Sequence, residues 1–177
     1  MIKLRELEDK DAEYMLEWMH DVEIQRSFKK DMINMTREDV LEFIAHSKVP
    51  TKLFDNANVH FAIVNNQDEY LGTISLKNIE LINRSAEYAI ATRKKAHGRG
   101  IAYRATGLLL KKAFGDYGLH RVYLNVLENN QSAIRLYERS GFILEGEFRE
   151  CLDIKGKYMN LKWYSMLENE FDAEKFY

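Results

Sequence analysis

The 177-residue chain contains one proline, Pro50, one cysteine, Cys151, and nine glycines. A single cysteine cannot form a disulfide within the chain, so we expect a reducing compartment, with Cys151 serving as a small packing residue. Residues 1–6 lack the apolar core of a signal peptide, and no stretch approaches the roughly 20 apolar residues of a membrane span. These absences predict a cytoplasmic protein with no membrane partner.

The chain also lacks an excess of charge of either sign. It has 26 Lys and Arg against 28 Asp and Glu, a formal net charge of −2, with 46% apolar residues. That balance excludes a disordered chain and argues against nucleic acid as a partner. At about 150 residues per domain, the length predicts a single domain over residues 1–177.

Hydrophobic periodicity predicts the element order β-α-α-β-β-β-α-β-α-β-β. Three consecutive strands joined by polar turns indicate an antiparallel meander, and the β-α-β unit that follows adds parallel pairing. We therefore expect an α/β (α+β) fold with a mixed, mainly antiparallel central sheet flanked by helices. The predicted strands cover residues 2–7, 59–64, 70–76, 85–92, 121–127, 143–150 and 158–166; the predicted helices follow Asp9 or Asp11, follow Thr36, cover residues 101–117, and run from Asn130 to Gly141.

Two glycines, Gly98 and Gly100, stand close together where a predicted strand turns into a helix, within a basic run over residues 93–104. Glycine permits close backbone approach, and the helix that follows offers unsatisfied N–H groups and a positive dipole end. These features predict a phosphate or pyrophosphate cradle, with a plain tight turn bearing solvated lysines as the alternative. Tyr103 stands where a dinucleotide-binding fingerprint needs glycine, and no Gly-Lys-Ser/Thr follows as in a P-loop.

Residues 95–100 read Lys-Ala-His-Gly-Arg-Gly, which resembles the Gln/Arg-x-x-Gly-x-Gly/Ala signature of the GNAT superfamily of acetyl-CoA-dependent N-acetyltransferases. A second family block, a strand followed by Asn-x-x-Ala, Tyr and Gly-Phe, is matched by residues 122–126 and 130–142. The resemblance is closest to the branch that contains ribosomal-protein Nα-acetyltransferases and spermidine acetyltransferases. It implies a transferase that takes acetyl-CoA as co-substrate and a small-molecule or peptide amine as acceptor, without a metal.

The resemblance also implies which residues hold acetyl-CoA. The strand before the glycine turn splays from its neighbour, so its backbone N–H groups contact the pantetheine and the thioester carbonyl, while the glycine turn holds the pyrophosphate and Arg104 adds charge. Asn130 suits a pantetheine contact, although its role as a helix N-cap explains it adequately. The implied contact residues are Ile90, Ala91, Thr92, Lys95, His97, Gly98, Arg99, Gly100, Ile101, Ala102 and Asn130.

Acetyl transfer needs a polarised carbonyl, a neutral amine and a proton for the leaving thiolate. Tyr137 occupies the family's tyrosine position and is the candidate general acid, because a tyrosine with a pKa of about 10 is protonated at pH 7. Spacing alone would make it a core aromatic. Glu87 is the candidate base, with an exposed strand carboxylate as the alternative, and His97 and His120 are weaker candidates. The five histidines show no ligand-pair spacing, so no metal is expected.

No motif identifies the acceptor amine. Residues 26–31 are basic overall and include Phe28, with Trp18 on the preceding helix. This favours an anionic acceptor, such as a nucleotide-linked amino sugar, over a polyamine, which would need clustered carboxylates. A protein N-terminus and a non-catalytic acyl-CoA-binding module stay open. The aromatic residues of segment 171–177 suit either docking on a partner subunit or a frayed tail, so a homo-oligomer also stays open.

Overall fold

The computed structural model describes residues 1–176 and builds them around one seven-stranded sheet. The strands are β1 (Ile2–Arg5), β2 (Ala57–Asn65), β3 (Tyr70–Glu80), β4 (Ser85–Thr92), β5 (Arg121–Leu127), β6 (Ile143–Ile154) and β7 (Lys157–Leu167). The α-helices are α1 (Ala12–Met19), α2 (Val22–Gln25), α3 (Arg37–His46), α4 (Ile101–Lys111) and α5 (Gln131–Arg139).

The strands lie in the order β1-β2-β3-β4-β5-β7-β6. Neighbouring strands are antiparallel everywhere except between β4 and β5, which are parallel because α4 crosses over between them. The predicted mixed, mainly antiparallel sheet with flanking helices is confirmed.

Both faces of the sheet are covered by helices. Along β2, Ile63 faces a core that includes Leu109 of α4, while the next residue, Val64, faces a second core that includes Met15 of α1 and Ile44 of α3. This alternation is the two-residue period of a strand that is buried on both sides. One core therefore lies between the sheet and helices α1 and α3, and the other lies between the sheet and helices α4 and α5. Where two neighbouring strands separate, these two faces of the sheet are connected.

Several element boundaries differ from those predicted. The helix expected over residues 101–117 is α-helical to Lys111 and then π-helical over Lys112–Asp116. The short helix α2 was not predicted, because four residues are too few to show a helical period; its N-cap Asp21 accepts hydrogen bonds from the backbone N–H groups of Glu23 and Ile24. The helix predicted after Thr36 is α3, which begins with a capping box formed by Thr36 and Asp39.

The C-terminal segment packs on its own chain. Phe176 is buried and stacks on Tyr103 with ring centroids 4.8 Å apart. It also covers Gly107, where an added Cβ would lie 2.3 Å from its ring, so the helix needs glycine at this point. For residues 171–176 the expectation of a frayed tail is wrong, and docking on a partner subunit stays a prediction; Tyr177 lies outside the described residues. The packing role expected for Cys151 is also wrong, because this residue is exposed.

None of the helices within residues 1–176 is long and apolar enough to cross a membrane.

Candidate active site

The gap between β4 and β5 is the central feature of the candidate site. The two parallel strands pair only at their beginnings and then diverge. The paired residues are Ser85 with Arg121, Ala86 with Val122, and Glu87 with Tyr123. A cleft of about 800 Å³ runs along the gap, within the size range of small-molecule sites.

Backbone N–H groups of β4 point into this gap. The N–H of Arg93 donates to the carbonyl of Leu71 at 2.9 Å, which fixes which residues of β4 face β3. Antiparallel alternation then turns the N–H groups of Thr92 and Ile90 towards the gap. It turns the N–H of Ala91 towards β3, so the expectation that Ala91 would also offer an unpaired N–H is wrong.

The glycine turn lies at the wide end of the gap. Gly98 and Gly100 have φ angles of 70° and 67°, the left-handed region that favours glycine. Within the described chain, the N–H groups of Gly98, Arg99 and Gly100 have no backbone acceptor, and α4 begins directly after them at Ile101. Unsatisfied N–H groups at a helix N-terminus suit the oxygens of a pyrophosphate.

The basic run beside the turn is largely neutralised. Arg93 is buried and bonds to Glu17 at 2.5 Å and to Glu69 at 3.4 Å. Lys95 is ion-paired with the same Glu69, and Lys94 lies 2.8 Å from Glu23. Sequence reasoning missed these partners because the three carboxylates come from distant segments.

Arg99 and Arg104 are the basic residues of the run that remain available. Within residues 1–176, neither lies within 4 Å of a carboxylate, and both line a second pocket of about 300 Å³ beside the turn. Ile101 also lines this pocket, and its side chain is buried. Lys95 lines neither pocket, because its ammonium is paired with Glu69.

The remaining predicted cofactor contacts line the cleft. Asn130 caps α5 by accepting a hydrogen bond from the N–H of Ala133 at 3.2 Å, and its side chain also faces the cleft. His97 lies with Nε2 3.3 Å from the carbonyl oxygen of Thr92, and Ala102 follows on the first turn of α4. His120, a weaker candidate for the base, lies outside the cleft lining, with Nδ1 3.0 Å from a carboxylate oxygen of Glu168.

Tyr137 reaches the cleft from the α4–α5 face. Its ring packs against Tyr88, Phe142 and Tyr164 with centroid separations of 5.8, 6.0 and 6.4 Å. No side chain among the described residues hydrogen-bonds its hydroxyl, and burial raises its pKa above the usual value near 10. Tyr137 is therefore both a core aromatic and a protonated phenol at the cleft.

Glu87 lies on the opposite face of the sheet, where the gap begins. Its carboxylate accepts hydrogen bonds from Asn78 Nδ2 at 2.9 Å, Lys77 Nζ at 3.3 Å and Asn125 Nδ2 at 3.4 Å. Its side chain is 14% exposed, so the alternative of a freely exposed strand carboxylate is wrong. Asn125 in turn accepts a hydrogen bond from Lys29 Nζ at 2.5 Å.

The α1–α3 face of the cleft, here called the acceptor arm, combines a polar floor with an apolar wall. The floor residues are His60, Thr73, Ser75, Lys77, Glu87 and Asn125, and the wall residues are Trp18, Met19, Phe28, Met32, Met35 and Phe43. Lys29 and Lys30 also line the arm. The rings of Trp18 and Phe28 stack with centroids 5.5 Å apart. The arm thus presents hydrogen-bonding groups on one side and flat aromatic surface on the other.

His60 is a member of the arm that sequence reasoning did not place there. Its Nδ1 lies 2.8 Å from Ser75 Oγ, and its ring contacts Phe43 edge-on. Burial, with a smaller effect from Lys77, lowers its pKa to about 4, so it is neutral at pH 7. No local signal marked it, because it became part of the site only through pairing between β2 and β3.

Comparison with known proteins decides the family. The profile of the acetyltransferase (GNAT) domain matches residues 2–143. The chain belongs to the GNAT acetyltransferase family. It is an acetyl-CoA-dependent N-acetyltransferase, as the two sequence blocks implied, and acetyl-CoA is its co-substrate.

Several relatives of this GNAT acetyltransferase carry more specific names. The spermidine N(1)-acetyltransferase of Vibrio cholerae serotype O1 is 33% identical over 119 residues, covering 67% of this chain and 69% of that protein. The spermidine N(1)-acetyltransferase of Escherichia coli K12 is 27% identical over 173 residues, covering 98% and 89%. The putative ribosomal N-acetyltransferase YdaF of Bacillus subtilis is 36% identical over 104 residues, covering 59% and 57%.

A solved structure of the Vibrio cholerae spermidine N-acetyltransferase, in complex with CoA and spermine, matches the fold with a TM-score of 0.84 at 27% identity. The match covers 96% of each chain.

Proposed function

We propose that this enzyme transfers the acetyl group of acetyl-CoA to a primary amine on a polyhydroxylated, anionic molecule such as a nucleotide-linked amino sugar. The observation that carries this proposal is the charge of the acceptor arm. Lys29 and Lys30 make no ion pair within the described chain, whereas both carboxylates that line the cleft, Glu23 and Glu87, already bind lysines. An acceptor with several positive charges would therefore meet uncompensated lysines rather than carboxylates.

The polar floor and aromatic wall of the arm support a sugar-like acceptor. Thr73, Ser75 and Asn125 offer hydroxyl and amide groups that can exchange hydrogen bonds with sugar hydroxyls. The stacked rings of Trp18 and Phe28 offer a flat surface for the apolar face of a sugar ring.

The proposed reaction is a direct attack of the amine on the thioester. The glycine turn holds the pyrophosphate, and the N–H groups of Ile90 and Thr92 polarise the acetyl carbonyl. Glu87 accepts the proton of the incoming ammonium through water, and Tyr137 donates a proton to the departing thiolate. The two side chains lie on opposite faces of the sheet, so the thioester passes between the proposed base and acid.

A polyamine acceptor is the second candidate, and the names of the relatives favour it. Those relatives are 27–33% identical to this chain. If spermidine were the acceptor, its ammonium groups would have to approach Glu87 past Lys29 and Lys77. A protein N-terminus is a third acceptor class, supported by the similarity to a putative ribosomal N-acetyltransferase.

A panel of acceptors tests the proposal. CoA release is measured with nucleotide-linked amino sugars, spermidine, spermine and a peptide with a free N-terminus. We expect the amino sugars to give the highest kcat/KM; a higher value for spermidine would overturn the acceptor class. CoA binding without release for any amine would instead indicate a non-catalytic acyl-CoA-binding module.

A matched pair of lysine variants tests the role of charge in the arm. Lys29→Met should raise the KM for an anionic acceptor about tenfold, because it removes a cation that Asn125 holds at the cleft. Lys52→Met is the control, since Lys52 is an exposed lysine outside the cleft lining. Equal KM values for the two variants would contradict the role of Lys29.

A further inference from the structure

We propose that the enzyme acetylates its own Lys29 when acetyl-CoA is bound and the acceptor is absent. The proposal rests on the proposed function, because it uses the same donor, the same gap and the same proton donor. It assigns a modification site to a side chain that lies where the acceptor amine would enter.

The position of Lys29 is fixed by one hydrogen bond. The loop over residues 26–36, between α2 and α3, brings its Nζ to 2.5 Å from Asn125 Oδ1. Asn125 lies on β5 two residues beyond Tyr123, where pairing with β4 ends. Counting along the strands puts Asn125 level with Ala89, next to Ile90, whose N–H faces the gap. The amine of Lys29 is therefore held at the part of the gap where the thioester carbonyl is proposed to lie.

The surroundings of Lys29 also suit a nucleophile. Asn125 links the amine to Glu87, the proposed base, through its hydrogen bond at 3.4 Å. Burial lowers the pKa of Lys29, which increases the neutral fraction able to attack. The other ammonium groups bound at the cleft, those of Lys77 and Lys94, are ion-paired with carboxylates, whereas Lys29 has no carboxylate within 4 Å among the described residues.

The step balances without any reactant beyond acetyl-CoA. Lys29 first gives up the extra proton of its ammonium, and its nitrogen lone pair forms a bond to the acetyl carbonyl carbon. The carbon–sulfur bond then breaks, and sulfur leaves as the thiolate of CoA. The thiolate gains a proton and the new amide nitrogen loses one, so the products are acetyl-Lys29, CoA and one released proton.

An acceptor in the arm would occupy the space in front of Lys29, so acceptor and lysine compete for the same acetyl group. The modification is therefore expected when acetyl-CoA is abundant and acceptor is scarce. It removes the positive charge of Lys29 and two of the hydrogens through which its ammonium can donate to Asn125.

Mass spectrometry of the full-length protein incubated with acetyl-CoA tests the proposal. We expect one acetyl group on Lys29, formed about tenfold or more faster than on Lys30 or Lys52, because only Lys29 is held at the gap. The first-order rate should not depend on protein concentration, and Tyr137→Phe should slow it while leaving slow chemical acetylation of the other lysines unchanged. Lys29→Arg serves to verify the site, since arginine keeps the charge and cannot give the product.

Equal acetylation of Lys29, Lys30 and Lys52 would overturn the proposal, as would a rate on Lys29 that is unchanged in Tyr137→Phe. CoA release with the acceptor panel is measured on the same samples. Turnover of an acceptor without acetylation of Lys29 overturns the self-acetylation alone. The absence of both reactions overturns the proposed function as well.

Discussion

The two ends of the cleft are built from different kinds of groups. At the donor end, the proposed binding groups are backbone N–H groups, those of Ile90 and Thr92 on β4 and those of the turn at Gly98 and Gly100. At the acceptor end they are side chains that come from α1, α3, a loop and four strands. Backbone groups offer the same chemistry whatever side chains surround them, so the donor end suits one fixed co-substrate. The acceptor end can change its specificity by exchanging side chains.

The two ends also differ in how their charges are balanced. Near the glycine turn, Arg93, Lys94 and Lys95 are tied to carboxylates of the first helices and the β2–β3 turn. In the acceptor arm, Lys29 and Lys30 have no carboxylate within 4 Å in the described chain. The number of basic residues in a run therefore does not give the charge that a ligand meets, because folding pairs some of these residues with carboxylates.

The largest expected effect on kcat comes from a change at Tyr137, which lies between the two ends of the cleft. Tyr137→Phe should lower kcat about 100-fold or more, because it removes the proposed proton donor, while acetyl-CoA affinity changes little. Since burial raises the pKa of Tyr137, the wild-type hydroxyl should stay protonated across the usual alkaline assay range. Steady-state kinetics with CoA binding by calorimetry measures both quantities.

Tyr164→Phe is the matched control for this prediction. Tyr164 belongs to the same aromatic cluster, but its hydroxyl donates to Glu138 at 3.1 Å and lies outside the cleft lining. Its variant should keep a kcat close to that of the wild type. Similar losses in Tyr137→Phe and Tyr164→Phe would mean that the cluster acts through packing alone.

At the acceptor end, His60 should make the free energy of unfolding depend on pH in the acid range. The pKa of His60 is lowered to about 4, so between pH 6.5 and 4 the unfolded chain binds a proton that the folded chain does not. The free energy of unfolding should therefore fall by about 3 kcal/mol as pH drops from 7 to 4. Urea unfolding at several pH values should show a shallower dependence for His60→Asn.

Ser75→Ala is the control variant for the acid effect. It removes the hydroxyl that contacts His60 but keeps the imidazole buried beside Phe43. The pH dependence should therefore persist in Ser75→Ala. If His60→Asn kept the full pH dependence, the acid sensitivity would belong to other groups.

The contrast between backbone groups at the donor end and side chains at the acceptor end explains which parts of the site could be predicted from sequence. β4 and β5 were predicted with their observed bounds, and Gly98 and Gly100 marked the turn, because periodicity and glycine are local signals. The contact of Lys95 with Glu69 and the place of His60 were not predictable, because each depends on tertiary packing, of Lys95 against the β2–β3 turn and of His60 against Phe43 of α3. The single domain over residues 1–177 and the cytoplasmic location remain predictions.

Glu87→Gln separates a proton acceptor from a purely structural residue at the acceptor end. We expect kcat/KM to fall about tenfold at pH 7, because an amide cannot take the proton of the incoming ammonium. Glu87→Asp, which keeps a carboxylate, should restore part of the rate. Glu80→Gln is the control, an exposed carboxylate at the end of β3. Equal rates in Glu87→Asp and Glu87→Gln would show that Glu87 only positions Asn125 and Lys77.

The smallest expected effect tests the charge balance at the donor end. Arg99→Ala should raise the KM for acetyl-CoA about fivefold and weaken its salt dependence, because Arg99 has no carboxylate partner in residues 1–176 and faces the pocket beside the turn. Lys95→Ala should leave that KM nearly unchanged, because its ammonium is already paired with Glu69. If Lys95→Ala raised the KM as much as Arg99→Ala, the pair with Glu69 would have to open when acetyl-CoA binds. All basic residues of the run would then contribute to acetyl-CoA binding, and the two ends of the cleft would no longer differ in charge balance.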